Sequence, residues 1–190
     1  MTDISSELTA PTPGSAGAGS KAGTASSGSP QRLIEFVELF YFAYRDFTGE
    51  ADTVLADFGF GRAHHRVLHF VYRHPGLRVA DLLDILKITK QSLARVLKQL
   101  VDEGFIVQRA GEADRRERLL FLTAKGSALA EKLIALQVRR ISEALASLGD
   151  AAAPAARQFL ASMIAETQRA QIEKLIGQTA DEAIEREGQA

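Results

Sequence analysis

Residues 79–126 read VADLLDILKITKQSLARVLKQLVDEGFIVQRAGEADRRERLLFLTAKG, and the spacing of apolar residues in this stretch decides the fold. Two short helices, over 79–86 and 90–103, are separated by only Lys87-Ile88-Thr89, the layout of a helix-turn-helix. In the second, Leu93, Val96, Leu97, Leu100 and Val101 recur at i, i+3, i+4, i+7 and i+8 and so face a core. Thr89 is placed to cap its N-terminus, and Gly104 stands where a left-handed residue ends a helix. Residues 105–108 and 118–122 then read as strands, joined by a loop over 109–117 rich in Gly, Asp and Arg. Thr123 can cap a further helix. A helix-turn-helix followed by a β-hairpin is a winged helix.

Outward from this centre the chain is helical. Leu33, Ile34, Phe36, Val37, Phe40, Tyr41, Tyr44 and Phe47 recur at helical spacing from Gln31 to about Phe58, a long aromatic helix punctuated by Gly59 and Gly61. A second helix spans 62–73, carrying Val67, Leu68, Phe70 and Val71, and His74-Pro75-Gly76 ends it. After Thr123 a helix runs to about Leu148, Gly149 and Pro154 mark a break, and another helix covers about 154–176. The expected fold class is mainly α with a small β-hairpin wing, an α+β winged helix-turn-helix with dimerisation helices from both termini. The expected organisation is a disordered Gly/Ala/Ser/Pro-rich tail over 1–30, an N-terminal dimerisation helix over 31–58 and the winged domain over 59–122. C-terminal dimerisation helices over 123–177 and an acidic tail over 178–190 complete it. The flanking helices carry more apolar surface than so small a domain covers, which calls for a second subunit, the alternative being an intrachain three-helix bundle.

Composition narrows the function classes. At 190 residues and 46% hydrophobic, the chain supports one real core with tails. No apolar run approaches the roughly 20 residues that span a bilayer, and the N-terminus lacks the pattern of a signal peptide, so a soluble, cytoplasmic protein is expected. The absence of cysteine excludes disulfides, thiolate zinc sites and thiol redox sensing. The net charge of −1 conceals an asymmetry: residues 60–126 hold 13 Lys/Arg against 7 Asp/Glu, while residues 31–59 and 127–190 together hold 9 against 15. A basic middle between acidic flanks suits nucleic acid, although a solvated charged face gives the same count. No Gly-rich phosphate loop, nucleophile elbow or cluster of acid, base and nucleophile is present, so no enzyme is expected.

The candidate chemistry lies on the second motif helix and the loop after it. Thr89 caps; Lys90, Gln91, Ser92, Arg95 and Lys98 fall on the exposed side, mostly toward the end that enters a major groove. Gln91 and Arg95 can read base edges, and Lys90, Ser92 and Lys98 suit phosphates. Asp114 and Arg116, two apart on an extended loop, share a side, so the carboxylate can orient the guanidinium for a narrow minor groove. Arg109, Arg115 and Arg118 add phosphate-reaching charge; the plain alternative is a surface salt bridge, worth little. A winged helix that binds protein rather than DNA is the other functional reading.

With these residues in place, the stretch from Leu77 to Gln108, the Asp114-Arg115-Arg116 turn and Leu122-Thr123-Ala124-Lys125-Gly126 resemble the MarR family of bacterial transcription regulators. The segment around Gly61 to Leu68, together with Ile88 to Leu93, resembles its PetP-like branch. The resemblance implies a homodimer of winged helices with interlocked terminal helices on a pseudo-palindromic double-stranded DNA operator. Recognition contacts would come from Lys90, Gln91, Ser92 and Arg95, and the wing contact from Arg116 supported by Asp114. Two positions depart from the family pattern: Lys87 where many relatives have Gly, and Arg78 where a small hydroxyl residue is common. Many relatives bind a small effector between the dimer helices and the winged domain. Here such a cleft would be lined by Phe36, Phe40, Tyr41, Tyr44, Phe47, His64, His65 and His69, residues that equally suit a packed core. His65 and His69, four apart, have a metal-compatible spacing, but no third ligand is evident and no metal or other cofactor is expected.

Overall fold

The computed structural model describes residues 30–111, 114–149 and 151–187, with side chains described only as far as Gly177. The described residues divide into two units between Leu39 and Phe40. Of the first, residues 30–39 are described: they form the start of helix α1 (Pro30–Ala56), and their Leu33, Ile34, Phe36, Val37 and Leu39 side chains are exposed. The tail expected over 1–30 lies outside the described residues except for Pro30, the first residue of α1.

The second unit continues α1 and adds α2 (Arg62–Arg73), β1 (Leu77–Arg78), α3 (Val79–Leu86), α4 (Lys90–Asp102), β2 (Ile106–Ala110), β3 (Arg118–Leu122), α5 (Ala124–Leu148), α6 (Ala152–Met163) and α7 (Glu166–Glu187). The winged helix-turn-helix is therefore present as the mainly α architecture its spacing indicates. The hairpin is one strand larger than expected. β1 pairs antiparallel with β3, placing Leu77 opposite Leu120 and Arg78 opposite Leu119, and the sheet order is β1-β3-β2. β2 starts at Ile106, the Phe105 N–H being committed to Leu100 O at the end of α4, and its register with β3 runs from Ile106↔Leu122 to Ala110↔Arg118.

α4 shows how local chemistry sets an element. Leu93, Val96, Leu97 and Leu100 are buried, as their period requires. Thr89 Oγ1 accepts from the Ser92 N–H at 3.1 Å, capping the first turn. At the other end Gly104 takes φ +74°, so that its N–H donates to Val101 O at 3.0 Å and the Phe105 N–H donates to Leu100 O at 2.8 Å. These paired bonds close the last turn of the helix. Lys87, which ends α3, adopts φ 49°, and its N–H donates to Leu83 O at 3.0 Å. A residue with a Cβ is strained there. Lys87→Gly is expected to raise the unfolding free energy by about 0.5–1 kcal/mol, measured by urea denaturation; a loss of stability would show that the lysine side chain outweighs the backbone strain.

The buried core, from Ala51 and Leu55 of α1 to Leu129, Ala130 and Leu133 of α5, wraps around Phe105, which makes edge-on ring contacts with Phe58 and Phe60 at centroid distances of 5.5 and 5.1 Å. Among the described side chains none beyond Leu133 is buried. Three boundaries are set by contacts that spacing does not encode or by the backbone itself. α1 ends at Ala56 rather than about Phe58, because the N–H groups of Phe58 and Phe60 both turn back to Leu55 O. The single helix expected over 154–176 is two, broken where Ile164 is extended and where the Arg169 guanidinium from α7 donates to the carbonyls of Ala161, Ser162 and Ile164. The stretch expected as an acidic tail from 178 continues α7 in backbone to Glu187. No helix among the described residues is long and apolar enough to cross a membrane.

Candidate nucleic-acid interface

With its apolar face buried, α4 presents Lys90, Gln91, Arg95 and Lys98 exposed, and Ser92 partly so. Two of these side chains are committed locally. The Ser92 hydroxyl accepts from the Thr89 hydroxyl at 2.9 Å, and Lys98 Nζ bonds Asp102 Oδ2 at 2.5 Å across one helical turn. The Asp102 carboxylate neutralises part of the Lys98 charge and so weakens its pull on a phosphate, which the apolar period of the helix does not reveal.

The loop between β2 and β3 carries Arg115 and Arg116, both exposed, and Arg109 and Arg118 flank it on the paired strands. The Arg109 guanidinium lies 4.8 Å from the Phe121 ring centroid, an arrangement that holds a cation on an aromatic face. Asp114 acts differently from the expectation of a carboxylate holding the Arg116 guanidinium. Its Oδ1 accepts from the Arg116 backbone N–H at 2.8 Å, and the Glu117 N–H closes onto Asp114 O at 3.0 Å. Aspartate thus shapes the turn, and Arg116 is presented by backbone geometry.

α4 is joined firmly to α5. Thr123 Oγ1 accepts from the Gly126 N–H at 3.1 Å and donates to Gly104 O at 2.7 Å, while Lys125 Nζ bonds Glu103 O at 3.0 Å and lies 4.0 Å from the Phe105 ring centroid. The first turn of α5 therefore satisfies carbonyls at the C-terminal end of α4, where positive charge is also favourable. α1 and α5 are tied by Glu50, which accepts from Arg140 at 2.6 Å and from Arg139; these arginines hold its carboxyl below the usual range.

Of the eight residues expected as a cleft lining, the seven in the second unit fall into separate groups. Tyr44, Phe47, His65 and His69 do meet, around a cavity of about 230 Å³ that Arg62, Thr48 and Gln137 also line. Phe40 and Tyr41 are exposed side chains of α1 outside that lining, and Phe36 is exposed in the first unit. His64 turns the other way: its Nδ1 accepts from the Gly61 N–H at 3.1 Å, and its Nε2 faces Gln99 Oε1 of α4 at 2.9 Å. With Nδ1 accepting, the proton belongs on Nε2, so His64 links α2 to α4. Beside the cavity, Asp52 Oδ2 accepts from Arg62 Nε at 2.9 Å, and its buried Oδ1 has no partner among the described residues. Among the described residues no group of three or more His, Cys, Asp or Glu side chains is placed to hold a metal ion.

Burial lowers the pKa of both cavity histidines, His69 to about 4, with His65 and Arg73 beside it acting in the same direction; for His65, Asp52 and Gln137 oppose the shift. The unfolded chain binds these protons first, so stability is full above about pH 6.5 and falls as the pH drops toward about 4. Each histidine contributes at most about 1.4 kcal/mol per pH unit. Unfolding curves between these pH values are expected to show a shallower decline for His69→Gln than for the wild type, and equal slopes would exclude His69 as a source.

Comparison with known proteins places this geometry among transcription regulators. A model of the MarR family matches residues 58–117. The HTH-type transcriptional regulator PetP of Rhodobacter capsulatus is 42% identical over 139 residues, covering 73% of this chain and 84% of its own. The HTH-type transcriptional repressor Rv2887 of Mycobacterium tuberculosis is 30% identical over 130 residues, covering 67% and 91%. YusO of Bacillus subtilis shares the fold at a TM-score of 0.51 and 20% identity over 72% of this chain and 97% of its own. A transcriptional regulator of Thermotoga maritima does so at 0.50 and 23%, over 75% and 98%.

Proposed function

The chain belongs to the MarR family of transcription regulators, and we propose that it acts as a homodimer that reads a pseudo-palindromic DNA operator with α4 in the major groove and Arg116 in the minor groove. The observation that carries this reading is the division of α4 into a buried apolar face and an exposed face of Lys90, Gln91 and Arg95, followed after β2 by a turn that presents Arg115 and Arg116. Neutralising phosphates releases counterions, and the long side chains of Gln91 and Arg95 match adenine and guanine edges.

The apolar surface beyond the core supports pairing of two copies. Phe40, Tyr41 and Tyr44 on α1, Val138, Ile141 and Leu148 on α5, and Phe159, Leu160 and Met163 on α6 are each about half exposed or more. So much uncovered apolar side chain exceeds what a monomer ordinarily shows to water. The stretches 31–58 and 123–177, which hold α1 and α5, α6 and the start of α7, are accordingly read as the dimerisation elements. The cavity around Tyr44, Phe47, His65 and His69 is the place for a small effector, its walls combining aromatic rings with cations.

Sedimentation equilibrium together with mobility shifts on duplexes selected from random sequence tests the proposal. A dimer with a selected site whose affinity falls steeply with salt is expected. Failure to enrich any sequence, with binding to a protein partner insensitive to salt, would overturn it in favour of a protein-interaction module.

A further inference from the structure

The wing has a second anchor that the helix-turn-helix pattern does not require. Arg78 is the residue before α3 and also the second residue of β1, and its side chain does not cap the helix. Its guanidinium instead forks: Nε and Nη2 each bond one carboxylate oxygen of Asp81 at 2.7 Å, and Nη1 bonds Glu117 Oε1 at 3.0 Å. Asp81 lies in the first turn of α3; Glu117 lies between Arg116 and β3.

Glu117 is itself held on both sides of its backbone. Its N–H donates to Asp114 O, and its carbonyl accepts from the Gly111 N–H at 3.1 Å. Gly111 is buried, and a Cβ there would come within 2.7 Å of Asp114 O and 3.3 Å of Glu117 Cβ, so the turn closes tightly on the glutamate. One residue therefore closes the turn that bears Arg116 with its backbone and, with its side chain, reaches Arg78, the residue before the first motif helix. β1 joins β3 through only two residue pairs, which leaves the wing a narrow ladder on which to pivot. A planar bidentate fork fixes direction as well as distance, which a lysine does not.

The geometry points to Arg78 as a positioning residue that bolts the wing, through Glu117, to α3 through Asp81, and so sets where Arg116 meets DNA relative to α4. The inference rests on the reading of the winged helix as a DNA-binding module. The ion pairs are exposed, so their effect on global stability is small; their effect is on the freedom the wing loses when it docks.

The test uses the full-length protein on a selected operator, with Arg78→Ala, Arg78→Lys, Glu117→Gln, Arg116→Ala and the Arg78→Ala/Arg116→Ala double variant. Arg78→Ala is expected to weaken binding about five- to tenfold with an unchanged melting temperature, and Arg78→Lys to restore part of the loss. Glu117→Gln decides between positioning and plain charge. Removing an acid near DNA tightens binding if Arg78 is merely a phosphate contact, whereas a positioning role requires that it weaken binding. In the Arg116→Ala background, Arg78→Ala should add less than about a twofold loss, because the pose it sets no longer matters. Multiplying losses, or tighter binding by Glu117→Gln, would overturn the assignment. Amide hydrogen exchange without DNA separates this inference from the functional reading: Arg78→Ala should accelerate exchange at Gly111 and Glu117 even if no operator is found, and unchanged protection there would dispose of the bolt.

Discussion

Gly126→Ala is expected to destabilise the protein by about 3 kcal/mol, lowering the melting temperature by roughly 6–12 °C. Gly126 is buried in the first turn of α5, and a Cβ there would stand 2.1 Å from Phe105 O and 3.0 Å from its carbonyl carbon. The obstacle is backbone, so it cannot be relieved by a rotamer change. Phe105 O already accepts from the Thr123 N–H at 3.0 Å, and the Phe105 ring sits at the centre of the core. Moving it loosens the seam in which Thr123 and Lys125 satisfy the end of α4. Alanine gains helix propensity of about 0.5–1 kcal/mol over glycine, too little to offset the collision. Gly177→Ala is the control: a Cβ there would meet nothing within 4 Å, and that variant should be neutral or slightly more stable. Calorimetry finding Gly126→Ala within about 1 kcal/mol of the wild type would remove the close approach as a determinant.

The parts of the fold that are legible in the sequence are those set by local chemistry. The apolar period of α4, the Thr89 and Thr123 caps and the left-handed Gly104 each depend on a few neighbouring residues, and each is present in the structure. β1 is hidden because it is two residues long and its partner is some forty residues away at Leu119 and Leu120. The break between α6 and α7 is hidden for another reason. Residues 161–168 contain neither Gly nor Pro, and the free carbonyls are satisfied by an arginine from the following helix. An extended loop would set the Asp114 carboxylate beside the Arg116 guanidinium; the turn that forms instead brings the backbone N–H to it. The aromatic residues of α1 can be placed on one helix from their spacing, but which of them meet His65 and His69 depends on helix packing that spacing does not encode.

Replacing both Gln91 and Arg95 by alanine is expected to reduce affinity for a selected operator on the order of a hundredfold or more, each residue accounting for about 1–3 kcal/mol of discrimination. Both side chains are exposed on α4, next to core residues that fix the helix from its other side. Binding to random DNA should change far less, since base contacts contribute little to it. Lys90→Ala should behave oppositely, weakening specific and nonspecific binding together and reducing the slope of log K against log salt by about 0.9. Lys98→Ala should change that slope less than Lys90→Ala, because Asp102, 2.5 Å from Lys98 Nζ, already neutralises part of its charge. Competition titrations at several salt concentrations separate these effects. If the double variant loses specific and random binding in equal proportion, Gln91 and Arg95 are phosphate contacts, and base reading must come from elsewhere on α4 or from the wing.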